Sequence, residues 1–240
     1  MSAPPHPAPA ARPTLLNRPE PLHLLFIALA AVHLASLLGG SIDGADTVQH
    51  ITKPALMPAL ALYTLACGGP RLLVAALLFG CGGDTLLEIG GDLVFLLGMG
   101  CFAAGHICYI TFFLRNRRRI PPLLAAGYAA AWLGLVIALW SGLPAGMRGP
   151  VAVYSLLLTA MALGALSAGP VALAGGALFL LSDSLIATDI ADWPQAPQGP
   201  FWVMLTYIAA QYALAHGVVR THLAGAAAPA PAPEGAPAAG

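Results

Sequence analysis

The sequence predicts an all-α, polytopic membrane protein with about eight transmembrane helices. Of its 240 residues, 58% are hydrophobic and only 8% are charged, and the mean hydropathy is +0.80. Soluble domains carry about 25% charged residues, so a chain this poor in charge is suited to lipid as its solvent. Its formal net charge of zero gives no electrostatic reason to expect nucleic acid as a partner.

Eight apolar runs approach the length of about 20 residues that a helix needs to cross the hydrocarbon core. Gly and Pro separate successive runs, as at residues 68–70 and 169–170. The second run is short and contains Pro54 and Pro58, so we expect a kink at Pro58 unless a neighbouring group satisfies the freed carbonyl. The predicted spans are 22–39, 51–67, 71–88, 92–114, 121–141, 150–168, 170–189 and 200–220.

These spans form a single transmembrane domain, residues 22–222, between two tails. Residues 1–21 are rich in proline, and residues 223–240 consist mainly of Ala, Pro and Gly. Segments of this composition bury too little apolar area to offset the entropy lost on ordering. Both tails are therefore predicted to be disordered.

The basic residues predict the orientation of the chain, because short cytoplasmic loops are enriched in Lys and Arg. If both termini are cytoplasmic, the outer segments contain only Lys53 and Arg148. Trp140, Trp193 and Trp202 then lie at outer helix ends, where an aromatic belt is expected. Both termini lie on the same side only if the number of spans is even, so a chain with seven spans would lose this unequal distribution of basic residues. The basic residues on the cytoplasmic side would be Arg12, Arg18, Arg71, Arg115, Arg117, Arg118, Arg119 and Arg220.

The two halves of the chain can be aligned with an offset of 99 residues. This offset places three spans of the first half on three spans of the second, and it aligns Asp84 with Asp183. Four helices per half would give both halves the same orientation, which is a parallel repeat. Evenly spaced helices in a small protein can also align by chance, so both explanations stay open.

Two aspartates lie within predicted spans. An ionisable group at bilayer depth costs at least ~2.5 kcal/mol, so such a residue is a functional-site candidate. Asp84 lies one turn before Glu88, and Asp183 lies before Asp189. At 1.5 Å per residue, the two aspartates are about 6 and 9 Å below these outer acids. They therefore share a depth in the outer half. The alternative to a functional role is a purely structural ion pair between one of these aspartates and Lys53.

Other polar side chains are candidates to support the two aspartates. Tyr207 and Gln211 share one helix face, as do His106 and Tyr109. Each candidate also has a purely structural explanation. Lys53 can extend to the membrane interface, Glu88 can be a solvated residue at the outer helix end, and His106 can be a packed neutral histidine. The tyrosines and Gln211 can simply form hydrogen bonds between helices. The four cysteines lack metal-ligand spacing and are interpreted as packing residues, so no metal or cofactor is expected. The supporting candidates are Lys53, Glu88, His106, Tyr109, Tyr207 and Gln211.

Five runs in this order resemble the motifs of the YhhN family, which includes the mammalian lysoplasmalogenases. The runs are TKPALMP (52–58), FGCGGDTLLE (79–88), HICY (106–109), LFLLSDSLIA (178–187) and YIAAQY (207–212). The resemblance extends from about residue 22 to residue 220. It implies a lysophospholipid substrate and hydrolysis of the vinyl ether bond of a lysoplasmalogen, giving a fatty aldehyde and a glycerophospho-headgroup. It also implies that the paired acidic positions of the family are Asp84 and Asp183.

Vinyl ether hydrolysis suits a pair of carboxyl groups. Protonation of the β-carbon gives an oxocarbenium ion, which glycosidases handle with one acid and one carboxylate. Desolvation and mutual repulsion would keep one aspartate protonated, while the other stays ionised with help from Lys53. The greater depth of Asp183, with no carboxylate one turn away, favours Asp183 as the acid. Tyr207 or Tyr109 could bind the ether oxygen or orient water.

Two other functions fit the same residues. Paired buried acids, Gly-rich helices and a repeat also describe proton-coupled transporters. In a structural or lipid-sensing protein, the acids would only join helices. The sequence predicts no oligomeric state.

Overall fold

The computed structural model describes residues 19–39, 44–116 and 118–227, and within these ranges the chain forms eight α-helices. One 3₁₀ turn, Ala165–Ala168, extends the sixth helix. The predicted all-α fold is confirmed. The helices are α1 (Pro19–Leu38), α2 (Ala45–Ala66), α3 (Arg71–Ile89), α4 (Asp92–Arg115), α5 (Pro122–Leu139), α6 (Ala145–Gly164), α7 (Pro170–Ile190) and α8 (Gly199–Ala227).

Each predicted span corresponds to one helix, and the differences lie at the ends. α2 and α6 begin earlier than predicted, and α8 continues to Ala227. Residues 19–21 and 223–227 are therefore helical and do not belong to the predicted tails. The rest of both tails, with Arg12 and Arg18, lies outside the described residues, as does Arg117.

Seven helices of the described chain are long and apolar enough to cross a membrane, and α2 is the exception. Its first half carries Asp46, Gln49, His50 and Lys53, which lower its hydropathy. Its second half is apolar and is buried between α1 and α3, with Leu60 fully inaccessible to solvent. α2 is thus a 22-residue core helix with a polar end at the predicted outer interface.

A thiol satisfies the carbonyl that Pro58 frees in α2. Pro58 has no N–H, so the carbonyl of Pro54, one turn earlier, cannot form its helical hydrogen bond. The Cys81 thiol of α3 donates to this carbonyl, with an Sγ···O distance of 3.3 Å. The neighbouring group that would satisfy the freed carbonyl is therefore present, and Cys81 forms this hydrogen bond in addition to its packing contacts. This bond joins α2 to α3 within one turn of Asp84.

The closest helix pairs are α3 with α4 and α7 with α8, which are equivalent pairs under the 99-residue offset. Glycine allows the close approach of α7 and α8, since a Cβ at Gly175 would lie 2.8 Å from the backbone nitrogen of Leu214. Such contacts between small residues drive helix association in lipid. The repeat itself stays a prediction.

The two halves differ in how their first helix packs. α1 packs against α2 and also against α8, whereas α5 packs chiefly against α6. Leu139 is the single buried residue of α5. Space therefore remains between α5 and the rest of the bundle, on the side of α4.

Candidate active site

A cavity of about 840 Å³ fills the space beside α5. Lining residues of α5 recur every three or four positions from Leu124 to Leu139, so one face of this helix forms a wall along its whole length. The walls are mainly apolar, with a few polar side chains, as is usual for small-molecule sites. Asp84 and Asp183 both line this cavity, from α3 and α7.

Asp84 is buried, with 4% of its surface exposed. Its Oδ2 accepts a hydrogen bond from the Tyr207 hydroxyl of α8 at 2.8 Å. Glycines before Asp84 leave room for its neighbours, because a Cβ at Gly80 would lie 3.1 Å from the Tyr207 hydroxyl and one at Gly83 would lie 2.6 Å from the Phe102 ring. The FGCGGD run thus lets α4 and α8 approach the carboxyl group.

Three of the predicted supporting residues form a hydrogen-bond relay that ends on Asp84. The Tyr109 hydroxyl donates to Gln211 Oε1 at 2.8 Å, and Gln211 Nε2 donates to the Tyr207 oxygen at 3.4 Å. All three side chains are buried. Because each hydroxyl gives its single proton to the next acceptor, the relay directs donors toward the carboxyl group of Asp84.

A second relay ends on Asp183 and contains His106. The Tyr154 hydroxyl of α6 donates to Asp183 Oδ2 at 2.5 Å, and His106 Nε2 lies 3.2 Å from the Tyr154 oxygen. Since the Tyr154 proton is already donated, His106 must donate from Nε2. Its buried Nδ1 has no hydrogen-bond partner among the described residues, which suits a neutral imidazole.

The Phe179 ring lies between the two relays. Its centroid is 4.9 Å from that of His106 and 5.4 Å from that of Tyr207, and both contacts are edge-to-face. An apolar ring in this position keeps the relays separate. Each aspartate therefore has its own tyrosine donor, supplied by a different helix.

Sequence reasoning missed Tyr154. It has no polar companion one turn away, and it is joined to His106 and Asp183 only by tertiary packing. The available signal was a tyrosine hydroxyl within a predicted span, whereas Tyr207 was identified together with Gln211 on the same helix face. His50 was missed as well, because it lies just before the span predicted for α2.

Lys53 and Glu88 pair with each other at the end of the site that the sequence predicts to be the outer one. Lys53 Nζ lies 3.5 Å from Glu88 Oε2, and His50 Nδ1 lies 2.6 Å from Glu88 Oε1. Lys53 lines the cavity together with Asp84, whereas Glu88 does not. The alternative in which Lys53 forms a structural ion pair with an aspartate is wrong, because its carboxylate partner is Glu88.

The two aspartates differ in their exposure to solvent. Asp84 is buried, whereas Asp183 is half-buried and faces the cavity more openly. The assignment of Asp183 as the acid stays a prediction. Within the described ranges, no three His, Cys, Asp or Glu side chains cluster as metal ligands would.

Together, the fold and the cavity define a polytopic helical membrane protein with two carboxyl groups in the wall of a cavity inside the bundle. The chain belongs to the YhhN family, whose model matches residues 48–218. All eight predicted site residues lie in this range.

Curated relatives in this family carry an enzyme name. The chain is 33% identical over 174 residues to the human lysoplasmalogenase TMEM86B, covering 70% of this chain and 73% of that protein. It is 31% identical to the rat lysoplasmalogenase TMEM86B, covering 86% and 88% of the two chains. A lysoplasmalogenase of Mycobacterium bovis is 32% identical, with 62% of each chain covered. No solved structure shows a significant match.

Proposed function

We propose that this protein hydrolyses the vinyl ether bond of lysoplasmalogens, giving a fatty aldehyde and a glycerophospho-headgroup. The observation that carries the proposal is a pair of carboxyl groups, Asp84 and Asp183, in the wall of one apolar cavity. The curated names of the relatives support the choice of substrate.

The two carboxyl groups can perform the acid and base steps. One carboxylic acid donates its proton to the β-carbon of the vinyl ether, which leaves an oxocarbenium ion. The other carboxylate stabilises this cation and takes a proton from the water that attacks the α-carbon. In the resulting hemiacetal, the second carboxyl group donates its newly gained proton to the glycerol oxygen, and the first takes the proton of the hydroxyl group. The bond to the glycerol oxygen then breaks, an alcohol and an aldehyde form, and both carboxyl groups regain their starting protonation states.

The shape of the cavity suits a single-chain lipid. Trp132 Nε1 donates to Ser155 Oγ at 3.1 Å, so Trp132 marks the level of Tyr154 and Asp183 on α5. The cavity wall continues from Trp132 back to Pro121, the residue just before α5, which is a length of about 16 Å along the helix axis. A hydrocarbon chain can extend along this wall while its first carbons remain at the level of Asp183.

The membrane topology that goes with this function has both termini in the cytoplasm. This orientation is supported by the excess of arginine in the predicted inner segments. It places Lys53 and the start of α6 at the outer face. Reporter fusions that are active only in the cytoplasm should show activity at both termini, and an inactive fusion at either terminus would contradict the orientation.

The function is tested by incubating purified protein with a lysoplasmalogen and with an ester lysolipid of the same chain length. Detecting aldehyde and fatty acid separately should show aldehyde from the vinyl ether and no fatty acid from the ester. A proton-coupled transporter would instead show flux in liposomes without aldehyde release. Absence of aldehyde from folded protein would refute the proposal.

Tyr154 should position Asp183 for this reaction. Replacing Tyr154 with Phe removes the donor to Asp183 and keeps the ring, so kcat should fall about 10- to 100-fold with little change in KM. The control is Tyr128→Phe, since Tyr128 also lines the cavity and has no hydrogen bond among the described residues. Equal losses in both variants, or none in Tyr154→Phe, would contradict the role.

A further inference from the structure

The cavity wall contains a second basic side chain, Arg148, in the first turn of α6. Lys53 is paired with Glu88, whereas Arg148 makes no ion pair with any carboxylate in the described part of the chain. A half-buried cation beside an apolar cavity is stabilised when an anion joins it. Arg148 is therefore the position in the wall that best suits an anionic group of a ligand.

Two contacts orient the Arg148 guanidinium group. Its Nε donates to the carbonyl oxygen of Leu143 at 3.1 Å. Its Cζ lies 5.9 Å from the centroid of the Trp140 ring, within the range of a cation–π contact. These contacts leave the two terminal nitrogens available, and they present the planar fork of N–H donors that binds phosphate oxygens in pairs.

The segment that contains Arg148 packs directly against the end of α7. A Cβ at Gly142 would lie 2.6 Å from the carbonyl oxygen of Ala191, so the turn between α5 and α6 contacts the α7 backbone directly. Leu139, Leu143 and Val151 pack with Ala191 in a small buried cluster. Because α7 also carries Asp183, the guanidinium and the carboxyl group belong to one packed unit.

The spacing between Arg148 and the acid site fits a lysophospholipid. Arg148 precedes Tyr154, the partner of Asp183, by six residues on α6, which is about 9 Å along the helix axis. In an extended glycerophospholipid, the ether oxygen and the phosphorus are about 6 Å apart, and the β-carbon of the vinyl ether is about 2 Å further. A phosphate at Arg148 would thus place the vinyl ether beside Asp183.

We infer that Arg148 binds the phosphodiester group of the lysophospholipid at the outer end of the cavity. This inference rests on the proposed function, and it assigns the headgroup end of the substrate to the start of α6. The alkenyl chain then runs along α5 toward the cytoplasmic side.

Binding of ligands that cannot be hydrolysed tests this inference separately from catalysis. The probes are a saturated 1-O-alkyl lysophospholipid and the matching 1-O-alkylglycerol, which lacks the phosphate. Arg148→Gln should weaken binding of the phospholipid about 10- to 100-fold and leave binding of the alkylglycerol nearly unchanged. Arg148→Lys should be intermediate, since an ammonium keeps the charge but not the fork. Arg115→Gln, at the cytoplasmic end of α4, is the matched control.

Equal effects of Arg148→Gln on both probes, or no effect on the phospholipid, would overturn the inference. The inference is also overturned if the wild-type protein does not bind the phosphate-bearing probe more tightly than the alkylglycerol. Selective loss of phospholipid binding, in a protein that releases no aldehyde, would support Arg148 as the phosphate ligand and refute the proposed hydrolysis.

Discussion

Replacing either Asp84 or Asp183 with Asn should lower aldehyde release by about three orders of magnitude. An asparagine keeps the shape of the side chain, and its carbonyl oxygen can still accept the hydrogen bond from Tyr207 or Tyr154. It can neither donate a proton to carbon nor take one from water, and general acid–base groups contribute about 10²- to 10⁴-fold. Steady-state rates with a vinyl ether lysolipid measure the loss.

The double variant distinguishes a catalytic pair from two independent sites. Groups that act as a unit lose little more when both are removed, so Asp84→Asn with Asp183→Asn should resemble either single variant. Asp189→Asn is the control, since Asp189 is an exposed carboxylate near the C-terminal end of α7. The acid pair is refuted if both single variants keep their activity, and a structural role is indicated if they lose only thermal stability.

Filling the cavity from α5 should have the second largest effect. Ala131 lines the cavity next to Trp132, at the level of Asp183. A phenylalanine at position 131 would occupy the space of the first carbons of the chain. Since a displacement of about 1 Å from the reacting geometry can cost 10²-fold, we expect kcat/KM to fall about 100-fold.

The matched control for Ala131→Phe is Ala130→Phe. Ala130 is its exposed neighbour on α5 and is not part of the cavity wall, so the same substitution there should leave kcat/KM within about two-fold of wild type. Comparable losses in the two variants would mean that the change disturbs α5 in general. An unchanged rate in Ala131→Phe would exclude this part of the cavity as the substrate site.

The helices could be predicted from the sequence because lipid imposes a minimum length of apolar residues on each span. α3 and α4 begin at the predicted residues, Arg71 and Asp92. The start of α2 was the least accurate of the predicted helix starts, because Asp46, Gln49 and His50 make its first turns too polar for a search for apolar residues. The two aspartates were detectable for the converse reason, since each is a charged group in an apolar run.

Partners across helices could not be predicted. Helical spacing shows that Tyr207 and Gln211 share a face, but it does not show that Tyr109 of α4 completes the relay. The pairing of Lys53 with Glu88 depends on how α2 lies against α3, and the bond from Tyr154 to Asp183 depends on how α6 lies against α7. These contacts are set by tertiary packing.

The loose packing of α5 has a consequence for how this family can diversify. Because its inner face borders the ligand space and only Leu139 is buried, most substitutions on that face remove few packing contacts and should cost little folding stability. The carboxyl groups that we propose as catalytic lie on α3 and α7, helices that are tightly packed against their partners. Preference for one lipid chain over another can therefore evolve through α5 while the chemistry stays unchanged.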